Sequence, residues 1–177
     1  MSWSRLDRRD FLLLLLYLAS KYIKERLYLN KGKPVVPSRL RVMKLVFLAQ
    51  KEAADAVYGI VGSLPYNFKP YMHGPFAKEV LDDLEALEKD SLIKIETQPI
   101  DIYGMVVQYN YLFTETGIKR VEELIKMLNE DPRASTSLQK LEELMKKHAS
   151  KTVRKLLDYV YKKYPEDSVP EIEIIEE

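Results

Sequence analysis

Apolar residues recur along the chain with two different periods. Phe76, Val80, Leu84 and Leu87 return every three to four residues, with Ala77 and Leu81 beside them, which is the spacing of a helix burying one face. Ile93 and Ile95 then alternate with Lys94 and Glu96, the spacing of a strand. Ahead of the helix, Gly74 lets the backbone turn without a side-chain clash. Pro75 suits a first helical turn, where its missing N–H would be unpaired anyway. Residues 66–95 thus read as a short extended segment, a sharp turn, a helix over 75–90 and the first strand of a hairpin. The rest of the chain is expected to pack around this stretch.

The preceding segments read as helices. Phe11 to Ala19 is an unbroken run of nine apolar residues, well short of the roughly 20 that a membrane span needs. Asp7 and Asp10 crowd Arg8 and Arg9 ahead of it, and the apolar pattern continues through Tyr22, Ile23 and Leu27. This favours a helix over 7–29, buried nearly all round and capped by Asp7 or Asp10, over a cleaved signal. A second helix starts at Ser38 as N-cap and runs to about residue 58, where Gly59, Gly62 and Pro65 break it. It buries Leu40, Met43, Phe47 and Leu48, and presents Arg39, Arg41, Lys44 and Lys51 outward.

Beyond the first strand (92–98), residues 99–104 form a loop and 105–113 a second strand, rich in Val and Tyr. Thr114 caps a helix over 115–129, which Asp131-Pro132 stops. Two more helices follow, over 137–148 with Thr136 and Gln139 as a capping box, and over 151–164. Val153, Leu156, Leu157, Val160, Tyr161 and Tyr164 stripe the last one, as intramolecular core or as a homodimer seam. The tail 165–177 is expected to fray.

These elements predict a mainly α fold with a small β-hairpin (α+β), in the order of a winged helix-turn-helix with additional N- and C-terminal helices. The winged-helix domain would span 1–130, a helical extension 131–164 and an acidic tail 165–177.

Composition narrows the chemistry. The chain has no cysteine, so disulfides, thiolate zinc sites and thiol nucleophiles are excluded. That fits a reducing cytoplasm, and the Lys/Glu/Tyr-rich, glycine-poor composition hints at a thermophile. His73 and His148 stand far apart, no glycine-rich phosphate loop occurs, and no serine sits in a nucleophile-elbow pattern. No enzymatic activity, metal or cofactor is expected. Net charge is only +1, but it is unevenly spread. Residues 1–34 carry eight Lys/Arg against three Asp/Glu, and residues 132–164 nine against three. Residues 165–177 carry six acids and no base, and the helix over 75–90 six acids against two lysines.

Three segments carry a family resemblance: LRVMKLVFLAQ (40–50), YMHGPFAKEVLDDLEALEKDSLI (71–93) and YLFTETG (111–117). They resemble the winged-helix proteins related to YwgA and, more distantly, the Panacea or SocA-like antitoxin domain. LLDYVYKKYPEDS (156–168) is similar to the C-terminal helix of the YwgA group. The resemblance spans about residues 38–165. It implies a winged-helix fold, no enzyme, and for Panacea-like domains a role through protein contacts.

A winged helix-turn-helix points first to double-stranded DNA and transcription regulation, commonly as a homodimer. Affinity for DNA comes chiefly from neutralised phosphates, and the acidic helix over 75–90 is ill suited to that. The expected DNA contacts are therefore Arg39, Arg41 and Lys44 on the second helix, with Lys69, His73 and Lys78 around the N-terminus of the acidic one. His73 is also expected to bond a neighbouring backbone group and fix the turn. The hairpin tip offers no base between Pro99 and Gly104. The alternative is an antitoxin-like interaction module that turns Glu79, Asp82, Asp83 and Glu85 toward a basic protein partner.

Overall fold

The computed structural model describes residues 5–24 and 30–168. In chain order these form α1 (Arg8–Ser20), β1 (Val35–Pro37), α2 (Arg39–Glu52), α3 (Ala54–Val61), α4 (Lys78–Lys89), β2 (Ile93–Pro99), β3 (Val107–Phe113), α5 (Glu115–Asn129), α6 (Pro132–His148) and α7 (Val153–Lys163). The fold is α+β: mostly helical, with one three-stranded antiparallel sheet in the order β1-β3-β2.

α1 occupies the centre. Asp7 caps it by accepting from the Asp10 amide at 2.8 Å. Phe11 to Leu16, Leu18 and Ala19 are all buried. A helix apolar all round must be covered all round, and α2, α3, α4, α5, α6 and β1 all pack against α1. The hub is therefore α1 rather than the 66–95 stretch. The helix ends at Ser20, whose Oγ donates to the Tyr17 carbonyl at 2.6 Å. Its expected continuation to residue 29 is not seen as far as Lys24, and residues 25–29 lie outside the described residues. No helix among the described residues is long and apolar enough to cross a membrane.

The hairpin forms close to its expected bounds, with Ile93 opposite Phe113 and Ile95 opposite Tyr111. β1 adds on the other side of β3, pairing Val36 with Tyr111. The third strand thus lies at 35–37, and the extended segment before α4 makes only isolated bridges, Lys69 to Phe76 and Tyr71 to Ser168. Thr114 caps α5 as expected, accepting from Gly117 N at 2.9 Å and donating to the Ser91 carbonyl at 2.6 Å. At Gly117 a side chain would collide with the Leu92 carbonyl, so the hairpin base can pack directly on the first turn of α5.

Further boundaries differ from the pattern-based reading. The second helix breaks at Ala53, and α3 runs straight through Gly59, ending at Gly62 with φ +90°. Gly59 is a packing glycine: a Cβ there would strike Ser137 of α6. α4 starts at Lys78, after Ala77, so Pro75 lies in the turn and not in the helix. α6 begins at Pro132 with Asp131 as its cap, five residues early, because an Asp-Pro pair starts a helix as readily as it stops one. Pro165–Asp167 form a 3-10 turn, and Ser168 pairs with Tyr71, so this part of the tail is docked. Residues 169–177 lie outside the described residues.

α7 packs on α2 within the chain, burying Leu156 and Val160, so the centre of its stripe is intramolecular core. Phe47 of α2 meets Tyr164 edge to face at 5.5 Å.

Because Leu14 is fully buried at this hub, Leu14→Ala should lower the unfolding free energy by about 2–5 kcal/mol. Ile102→Ala at the exposed hairpin tip should change it by less than about 0.5 kcal/mol. Urea denaturation of the two variants tests this contrast.

Candidate functional site

The six residues expected to touch DNA fall into three separate groups. Arg41 is in the core, only 2 % exposed, its guanidinium donating to the Pro37 carbonyl at 2.9 Å and the Lys151 carbonyl at 3.4 Å. Lys44 is equally buried, its Nζ donating to the Pro75 carbonyl at 3.2 Å. Burial pushes the Lys44 ammonium down to about 8. Both residues were expected on an outer face, and both are corrected by the same cause. From Arg41 to Ala49, α2 is buried on every side, under the sheet, the turn at 71–76 and α7. Seven of those nine residues are apolar, which leaves no room for a broad solvated face. That signal is visible in the sequence.

Arg39 is half-buried, stacked 3.7 Å from the Tyr109 ring centroid and 3.5 Å from the Tyr111 hydroxyl. His73 is exposed and makes no side-chain hydrogen bond among the described residues, so the turn is not fixed by it. The turn is held instead by paired backbone bonds of 2.9 Å between Lys69 and Phe76, and by Gly74 at φ +93°. Arg39, Lys44 and His73 line one cavity of about 240 Å³ with Met43, Tyr71 and Phe76. Lys69 and Lys78 are brought together elsewhere, along an open cleft of about 520 Å³ at the N-terminus of α4. Ala77 leaves that terminus without a side-chain cap, and Glu79 shares the cleft.

The carboxylate face of α4 is smaller than expected. Asp83 is 1 % exposed, and it is held by Arg8 Nε at 2.6 Å, Arg8 Nη2 at 3.1 Å and the Tyr66 hydroxyl at 2.7 Å. Burial and the adjoining carboxylate push the Tyr66 phenol up. Asp83 therefore fastens α4 to the start of α1 and cannot meet a partner. Val80, Asp83, Leu84 and Leu87 follow the i, i+3, i+4, i+7 rule, so its inward position was also legible. Glu79 is half-buried, accepting from the Asn67 amide at 3.4 Å, while Asp82 and Glu85 are exposed.

Two features escaped the sequence reading. The hairpin tip is apolar and open to solvent, with Ile102 90 %, Tyr103 79 % and Met105 85 % exposed and Ile100 and Val106 more than half so. Its shape is set by Asp101, which accepts from the Val106 amide at 2.9 Å. The second feature is a polar knot around Glu52, at the end of α2. One carboxylate oxygen meets His148 Nε2 at 2.8 Å. The other accepts from the Tyr159 and Tyr164 hydroxyls at 2.6 Å and lies 3.0 Å from Lys163 Nζ. Lys151 Nζ lies 3.0 Å from His148 Nδ1. An ammonium only donates and a carboxylate only accepts, so His148 is the neutral Nε2–H tautomer. Burial holds its pKa low. The four donors hold Glu52 at about 2, against the opposing effect of burial. The knot ties α2, α6 and α7 together. Its residues act on one another, which makes it a structural device.

No protein-family model matches the chain, and no curated protein matches it.

The knot sets the acid limb of stability. His148 is held neutral, so acidification below its ordinary value near 6.5 favours the unfolded chain. The Glu52 contribution is complete above the ordinary value near 4.5 and disappears as pH falls through about 2. Glu52→Gln should cost about 2–4 kcal/mol at pH 7. The gap between variant and parent should close as pH falls from about 5 toward 2, followed by urea denaturation at stepped pH.

Proposed function

We propose that this chain is a non-enzymatic interaction module with a winged-helix-type core, which docks a protein partner through its hairpin tip and the outer face of α4. The strand order β1-β3-β2, with helices between β1 and the hairpin, supports the winged-helix reading, as does the resemblance to YwgA-like and Panacea-like domains. The observation that carries the function is the tip itself. Five large apolar side chains from Ile100 to Val106 are each more than half exposed, and contiguous exposed apolar surface of this kind marks contact sites. α4 packs against β2 of the same hairpin, with Glu88 accepting from the Ile95 amide at 2.7 Å toward the hairpin base. Exposed Asp82 and Glu85 give that helix an acidic outer surface. A partner presenting both an apolar anchor and a set of basic residues fits the two surfaces. A cytoplasmic setting accords with the absence of cysteine.

Duplex DNA is the second reading, and one arrangement favours it: Lys69 and Lys78 converge beside the uncapped N-terminus of α4, a geometry suited to a phosphate. Against it stand the burial of Arg41 and Lys44 and a hairpin tip without a base. A regulator of this kind would use Lys69 and Lys78, as a homodimer or as a single copy.

Two experiments separate the readings. In a pull-down, the doubly substituted Ile102→Ser/Met105→Ser tip and the charge-reversed Asp82→Lys/Glu85→Lys chain should each lose a protein that the parent chain retains. Lys69→Ala/Lys78→Ala should keep it. In an anisotropy titration with random duplex DNA, the parent should show no steep salt dependence. Salt-steep binding abolished by Lys69→Ala/Lys78→Ala would overturn the module reading in favour of DNA.

A further inference from the structure

The cavity over Lys44 has properties that the interaction module does not use. It encloses about 240 Å³ between the first half of α2 and the turn at 71–76. A water takes up about 30 Å³ of liquid volume, so the cavity has roughly the bulk of eight waters, or of one small organic molecule. Leu40, Met43, Tyr71 and Phe76 make its walls largely apolar, and Gly74 closes one side. Its remaining lining residues, Arg39, Lys44 and His73, are all nitrogen bases or cations, and no carboxylate among the described residues lines it.

Lys44 is the anomaly. Buried lysines are normally paired with an acid, because an isolated ammonium inside a protein is strongly disfavoured. Lys44 is only 2 % exposed, and no acidic group lies in ion-pair range of it among the described residues. An ammonium has three N–H donors. That of Lys44 meets one neutral acceptor, the Pro75 carbonyl. The turn is fitted to this side chain: a Cβ on Gly74 would sit 3.0 Å from Lys44 Cε and 3.6 Å from its Nζ. Burial pushes the same ammonium down to about 8.

We propose that this cavity is a binding site for a small organic monocarboxylate, its carboxylate paired with Lys44 and its apolar body against Met43, Tyr71 and Phe76. The partly exposed Arg39 and His73 at the rim supply further donors. A dianion such as phosphate is disfavoured, because a single buried ammonium would leave half its charge uncompensated in mostly apolar walls. A neutral apolar molecule would leave Lys44 as it is now. The cavity shares Tyr71 and Phe76 with the cleft of Lys69 and Lys78, but no residue of the hairpin tip or of α4 lines it, so it stands or falls independently of the partner proposed above.

Calorimetric titration at fixed ionic strength tests this, using benzoate and isovalerate as probes with benzamide and isovaleramide as their neutral counterparts. At least one acid should bind with one-to-one stoichiometry, and its amide at least about tenfold more weakly. Lys44→Met keeps the length of the side chain and removes the buried charge. It should raise the thermal midpoint or leave it unchanged, and erase the preference for acid over amide. Leu40→Phe, which narrows the cavity and leaves Lys44 in place, should weaken the acid by a similar factor in a folded chain, and so carries the test if Lys44→Met does not fold. The proposal is overturned if neither acid binds at about 10 mM, if acid and amide bind alike to the parent chain, or if a folded variant binds the acid as the parent does.

Discussion

A helix with no polar side cannot lie on a surface, and α1 is such a helix. Its leucines face every direction around the axis, so each neighbour has to bring an apolar stripe to a different flank. That requirement arranges the molecule. α4 and α5 cover one pair of flanks, α2, α3 and α6 others, and β1 closes a further one. The polar ends of α1 then act as anchors. Arg8 reaches Asp83 of α4, and Asp10 pairs with Arg120 of α5 at 2.6 Å. Burial supplies the bulk of the stabilisation at roughly 1.5–3 kcal/mol per large apolar side chain, while the anchors fix which helix lies on which flank.

Elements whose geometry is local were legible in the sequence. The hairpin, the Thr114 cap and the span of α5 follow from alternation and a capping residue, and the all-round burial of α1 follows from an unbroken apolar run. Where the structure departs from the pattern, one physical reason recurs: in this fold charge is not a sign of exposure. Arg41, Lys44 and Asp83 each sit at a position that helical spacing assigns to the interior, and each is accommodated there by partners remote in sequence. Asp83 needs Arg8, and Arg41 needs the Lys151 carbonyl. No local pattern shows such partners. Gly59 shows the same limit for backbone: a residue that breaks isolated helices is kept inside α3 because Ser137 leaves no space for anything larger.

Of the candidate site, the acidic outer surface of α4 was partly legible, and the grouping of Lys69 with Lys78 follows from their places on either side of the turn. The cavity over Lys44 was not, since it exists only once α2 and the turn at 71–76 are brought together. The apolar hairpin tip was readable as Ile100, Ile102, Tyr103 and Met105 in a loop, where such residues have nothing local to cover them.

The covering of α2 by α7 has a consequence for synthesis. α2 ends at residue 52, yet the helix that shields part of it ends at residue 163. A ribosome adding about 5–20 residues per second takes several seconds to cover that distance. Throughout that interval Phe47 has Phe68 but lacks Tyr164, and the side of α2 that α7 covers has no permanent neighbour. The emerging chain therefore carries an unfinished apolar surface over that interval, and the Glu52 carboxylate meets Tyr159 and Tyr164 only once α7 has left the exit tunnel.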